Sequence, residues 1–84
     1  MYTPEQCRIL SDLPIGSCAT IVRISDESPD CVALRLRHLG FRPGYAVEAI
    51  RVAPLGDPVV YRILGYDMCL RRREARHILV TVVS

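Results

Sequence analysis

SPDCVALRLRHLGFRPG, running from Ser28 to Gly44, is the one passage of this chain with a sustained helical pattern, and everything around it is cut into short strands. Ser28 offers an N-cap, Pro29 suits the first helical position, and Asp30 places a negative charge where the helix dipole favours it. Val32, Ala33, Leu36 and Leu39 recur at helical spacing and make one apolar face, while Arg35, Arg37 and His38 point elsewhere. Leu34 falls opposite that apolar stripe. Gly40 can take the left-handed conformation that ends a helix, and Pro43-Gly44 makes a tight turn into the next segment. The pattern predicts a helix over Pro29–Leu39.

Outward from the helix, turn signals recur at Pro14-Ile15-Gly16, Pro54-Leu55-Gly56-Asp57-Pro58 and Gly65-Tyr66-Asp67. They bound runs rich in Val, Ile and Tyr at Cys18–Ile24, Ala46–Val52, Val59–Leu64, Met68–Leu70 and Ile78–Val83, which read as strands. Val59–Leu64 (VVYRIL) is apolar on both faces, as in a strand that curls inside a closed sheet. A short helical turn fits Arg72–Arg76. The expected fold is all-β: a small, partly open SH3-like β-barrel of five strands. One α-helix lies between strands 1 and 2, and a short helical turn precedes the last strand. Closure of the barrel would hide most strand edges.

The 84 residues suit a single domain over 1–84, with its core over about 10–83. With 50% of residues hydrophobic, there is enough for one core and little left to wall a deep catalytic cavity. All 11 basic residues are arginine, yet the net charge is only +2, weak for a dedicated nucleic-acid binder. Cys7, Cys18, Cys31 and Cys69 form no CxxC pair and read as small buried hydrophobes. Met1–Leu10 (MYTPEQCRIL) lacks a basic start and a continuous apolar core, so no secretory signal is expected. No apolar run approaches the ~20 residues of a membrane span. A cytoplasmic protein with reduced thiols, not inserted in the membrane, follows as the expectation.

Three stretches in order, LRHLGFRPG at Leu36–Gly44, RVAPLGDPVVYRI at Arg51–Ile63 and GYDMCLRRREARHILV at Gly65–Val80, resemble the FeoA family. These are the small cytosolic partners of the bacterial ferrous iron transporter FeoB. Leu13–Gly16 (LPIG) is similar to the opening turn of the family, and the likeness covers roughly Leu10 to Val83. The resemblance implies an SH3-like barrel and an accessory role in ferrous iron uptake, exercised by binding FeoB. The same module is similar to the C-terminal domain of iron-dependent repressors of the diphtheria toxin repressor type. Those carry a winged helix-turn-helix domain in front, for which this sequence shows no segment.

Chemistry gives little else. Cys31 and His38 stand two turns apart on the expected helix, but two donors do not make a tetrahedral site, so neither a metal nor a cofactor is expected. There is no nucleophile beside a base, no phosphate loop and no paired carboxylates, which argues against an enzyme. Arg71, Arg72, Arg73 and Arg76 cluster near Glu74. They admit a solvated docking role, or donation of an arginine to a partner's GTPase centre. The candidate partner-binding residues are Leu34, Phe41, Leu55 and Tyr66, apolar side chains on the helix or in turns, together with Arg71, Arg72 and Arg73. The alternatives to transporter docking are a small barrel that binds nucleic acid as a regulatory factor and a GTPase activator. Weak self-association is compatible with the sequence but not legible in it.

Overall fold

The computed structural model describes residues 7–82. Strand β1 (Cys7–Ile9) runs into a 3-10 turn (Leu10–Asp12), then β2 (Cys18–Ile24) and helix α1 (Asp30–His38). Strands β3 (Ala46–Val52), β4 (Val59–Ile63) and β5 (Tyr66–Leu70) form a meander. Helix α2 (Arg72–Ala75) then leads to β6 (Ile78–Val82). All pairings are antiparallel, in the order β1-β6-β2-β3-β4-β5. Register shifts between Ile21 and Arg23 and between Ala49 and Arg51 bend β2 and β3, which curls the sheet round its core. Among the described residues the sheet does not close: β1 and β5 are its two edges. The SH3-like barrel expected from sequence is present in this open form.

Five strands were expected and six are found. The sixth is β1, three residues whose pairing with β6 sets Cys7 against Thr81 and Ile9 against Leu79. Three residues carry no periodicity of their own, so this strand exists only because β6 offers it an edge. Alternation elsewhere is plainer than the sequence suggested. In β4, Val59, Tyr61 and Ile63 are buried while Arg62 is exposed. Leu64 leaves the strand to form, with Gly65, a two-residue hairpin turn in which both have positive φ (54° and 82°). Tyr66 therefore begins β5 instead of standing in a turn.

Inside the curl, Ala19, Ile21, Val47, Tyr61, Leu70, Ile78 and Val80 meet Leu10, Leu13 and Ala75 from the flanking turns and α2. The Tyr61 hydroxyl donates to the Leu10 carbonyl at 3.3 Å, satisfying the one polar atom its ring brings inside. Helix α1 covers this core with Leu36, fully buried, and with Val32 and Leu39 packed against its margin. Pro29 is the N-cap residue; Ser28 does not cap but donates its hydroxyl to the Ser25 carbonyl at 2.6 Å.

The end of α1 follows from Gly40. At φ +105° its N–H reaches the Arg37 carbonyl (3.1 Å), and the Phe41 N–H reaches the Leu36 carbonyl (3.0 Å). Those two bonds are the Schellman closure, which brings the residue after the glycine onto the last inward residue of the helix. Phe41 and Leu36 are accordingly both fully buried.

The cysteines depart from expectation. Cys18, Cys31 and Cys69 are exposed and Cys7 is half-buried. Strand alternation is the reason for two of them: Ala19 takes the inward position next to Cys18, and Leu70 the one next to Cys69.

Candidate functional site

The turn between β3 and β4, Ala53–Pro58, carries an outward leucine. Leu55 at its tip is 96% exposed, the most exposed large apolar side chain among the described residues. An arch with so exposed a leucine needs internal support. The Gly56 N–H bonds the Ala53 carbonyl at 2.8 Å, and the Ala53 N–H bonds the Pro58 carbonyl at 3.0 Å. Gly56 has φ +90°, a conformation that is costly for any residue with a Cβ.

The rest of the support comes from Arg72. Its guanidinium donates through Nε to the Gly56 carbonyl and through Nη1 to the Ser11 carbonyl (2.9 Å). Its backbone N–H donates to Asp57 Oδ1 at 2.9 Å. Arg72 thus ties α2, the Leu55 turn and the 3-10 turn together through fixed, forked donors. Arg71 adds an ion pair with Asp57 at 3.8 Å. Glu74 accepts the Arg71 N–H at 3.2 Å and forms an ion pair with Arg35 of α1. Because arginine has no acceptor, only the carboxylate half of a capping box exists here. These contacts link α2 to the Leu55 turn through Arg71 and Arg72, and to α1 through the single Arg35–Glu74 ion pair.

The seven sequence candidates divide on this frame. Leu55 stands at the tip, and Leu34, 52% exposed, rides on the helix that Arg35 couples to α2. Arg71 and Arg72 brace the turn, so Arg72 is a structural residue as much as a surface one. Arg73 is exposed and makes no ion pair or side-chain hydrogen bond among the described residues. Tyr66 is 70% exposed but lies at the other end of β4 from Leu55. Five strand residues separate those ends by about 16 Å. Phe41 is a correction: it is fully buried by the helix closure described above and presents nothing to a partner.

Leu64 (55% exposed) and Tyr45 (40%) are exposed apolar residues that sequence reasoning missed. Leu64 lies against Gly40, its Cδ1 only 3.2 Å from where a Cβ there would stand. The available signal was Gly65 between two apolar runs; leucine before it is not one of the usual hairpin residues, so the two-residue turn was not marked by Leu64.

Metal donors are sparse. Among the described residues no three His, Cys, Asp or Glu side chains gather to hold an ion. Cys31 and His38 are separated by about 10 Å along the helix axis, too far to share one. The sheet's outer face carries charge instead. Arg62 grips Asp67 from the neighbouring strand at 2.7 and 3.3 Å, and that hydrogen bond holds the Asp67 carboxyl below the usual carboxylate range. Inside, burial pushes the Tyr61 phenol up to about 12, against the opposing pull of the nearby Arg72 charge.

An open SH3-like barrel, with its most exposed apolar side chain at the tip of a braced turn, is the class of protein that these features define. The FeoA domain model matches residues 9–82, and the chain belongs to that family. Over 75 residues it is 40% identical to a fusion of Fe(2+) transport protein A with the Fe(2+) transporter FeoB from Porphyromonas gingivalis. That match takes in 89% of this chain and 9% of the much longer fusion.

Among solved structures, a FeoA-like protein from Clostridium acetobutylicum superposes with TM-score 0.85 at 30% identity, covering 94% of this chain and 90% of that one. The zinc-complexed FeoA of Stenotrophomonas maltophilia, an SH3 domain protein, gives 0.77 at 31%, covering 87% and 88%. Manganese-dependent transcriptional repressors share the fold at 20% identity. No helix among the described residues is long and apolar enough to cross a membrane.

Proposed function

We propose that this chain is a non-catalytic cytoplasmic accessory protein of ferrous iron uptake that docks on the cytosolic part of FeoB. The observation that carries the reading is the Porphyromonas gingivalis fusion, in which a segment 40% identical to this chain shares one polypeptide with FeoB. Fusion supplies the high effective concentration that separate chains must reach by binding. The docking residues in this reading are Leu55 on the braced turn and Leu34 on α1. Exposed apolar anchors on a rigid support carry binding energy, while rim arginines steer encounter.

The test is titration against the cytosolic part of FeoB at two salt concentrations, with GTP turnover followed in parallel. Leu55→Glu and Leu34→Glu are expected to weaken binding at least about thirtyfold, the equivalent of about 2 kcal/mol, with unchanged melting. Arg73→Ala should mainly flatten the salt dependence. Normal binding by both leucine variants would remove this surface from the reading. The GTPase-activator alternative narrows to Arg73 and Arg76, since Arg71 and Arg72 are committed to the turn. A variant at Arg73 or Arg76 that binds normally but fails to stimulate turnover would establish that alternative. Binding of wild type to nucleic acid and not to FeoB would overturn the assignment.

A further inference from the structure

Among the described residues, the open seam of the sheet leaves β5 as an unprotected edge. Its five residues, Tyr66-Asp67-Met68-Cys69-Leu70, pair with β4 without a register shift, and they include no proline or lysine. Natural edges are usually blunted by such devices or by shortness, as the other edge here is, with three residues in β1. The hairpin fixes which groups face outward. With a two-residue turn at Leu64-Gly65, Ile63 and Tyr66 form the closing hydrogen-bonded pair. Tyr66, Met68 and Leu70 therefore bond to β4, while Asp67 and Cys69 turn their N–H and C=O away from it. Among the described residues none of these four groups has a backbone partner outside the strand.

Side chains repeat the incompleteness. Tyr66 stands opposite the buried Ile63, so it occupies an inward-facing position, yet it is 70% exposed. Met68, next on that face, is only partly buried, and Leu70 is fully buried. Apolar cover is missing where backbone partners are missing.

We propose that β5 pairs antiparallel with β5 of a second copy of this chain, Asp67 opposite the partner's Cys69 and Met68 opposite the partner's Met68. This is the symmetric register that uses all four outward groups on each strand, giving four interchain backbone hydrogen bonds. It sets Tyr66 opposite the partner's Leu70 and diagonal to the partner's Met68. Leu70 is already fully buried in its own core, so the cover for the exposed ring comes from the partly buried Met68. No unscreened like charges meet, because each Asp67 keeps its own Arg62. Self-complementarity about one two-fold axis is what an isologous dimer requires, and it favours a second copy over an unrelated strand. A single five-residue strand offers well under the ~800 Å² per partner of a standard interface, so the dimer is weak and concentration-dependent.

The experiment is sedimentation equilibrium of the full chain from about 10 μM to about 1 mM, with Cys69→Pro beside wild type. Proline there removes one outward donor and leaves the β4 ladder in place, as edge strands tolerate. In parallel, a Cys69-only protein (Cys7, Cys18 and Cys31 to Ser) is treated with a bismaleimide spanning about 8 Å, because the two Cys69 are diagonal neighbours in the proposed register. The expected results are reversible dimerisation, weakened at least tenfold by Cys69→Pro at unchanged melting temperature, and cross-linking that a Cys31-only control does not show. If the proline variant does not fold, the cross-link decides by itself. A monomer throughout, a dimer insensitive to Cys69→Pro, or equal cross-linking through Cys31 would each overturn the pairing. So would a monomer whose β5 edge captures an extended peptide of FeoB. A dimer with no affinity for FeoB would leave this inference standing while the docking reading fell.

Discussion

Arg72→Ala should cost far more than Arg73→Ala, although both residues are exposed arginines in the same short helix. Arg72 loses two side-chain bonds, to the Gly56 and Ser11 carbonyls, while its backbone bond to Asp57 survives the substitution. A hydrogen bond from a charged group is worth about 1.5–3 kcal/mol in general. Exposure and screening reduce that here to about 0.5–1 kcal/mol per bond. The sum is about 1–2 kcal/mol, which lowers the melting temperature of a domain this size by about 5–15 °C. Arg73→Ala should stay within about 0.5 kcal/mol of wild type. Arg72→Lys should recover roughly half the loss, because an ammonium cannot fork to two carbonyls. Thermal and urea melts of the three variants measure this. Amide exchange at Gly56, whose N–H closes the turn onto Ala53, should quicken in Arg72→Ala alone. If Arg72→Ala and Arg73→Ala melt together, the brace under Leu55 does not exist.

Phe41→Ala should destabilise the chain by about 3–5 kcal/mol, a large share of a small domain's total stability, whereas an exposed docking residue would cost nothing. Its check is a urea titration with an unchanged slope. Alkaline pH probes the interior through Tyr61. The folded phenol titrates at about 12 and the unfolded one near 10, so the folded state holds the proton more tightly. Its contribution is whole below pH ~10 and is lost as pH rises from there through ~12. Tyrosinate absorbance should show one of the four tyrosines titrating late and together with unfolding, a feature that Tyr61→Phe removes.

Local chemistry by itself determined much of this protein. The helix between the first two long strands was written in Pro29, the Val32–Leu36–Leu39 stripe and Gly40, and it formed over Asp30–His38. Cys18–Ile24 and Ala46–Val52 came out as strands with the expected bounds, and Leu55 stood at the tip of its turn. Those features depend on neighbours within one helical turn or one hairpin, which a sequence displays directly. Phe41 was half legible: Gly40 was seen as the helix end, but not that the closure folds the next residue inward. The remaining features belong to the tertiary structure. Arg72 looked like one arginine of four until Gly56 and Ser11, 16 and 61 residues away, supplied its acceptors. β1 needed β6 from the far end of the chain, and the open seam at β5 depends on how far the two bulges curl the sheet. Hydrogen-bond geometry between distant segments is fixed only once the core has packed, because no local pattern encodes which carbonyl an exposed guanidinium will reach.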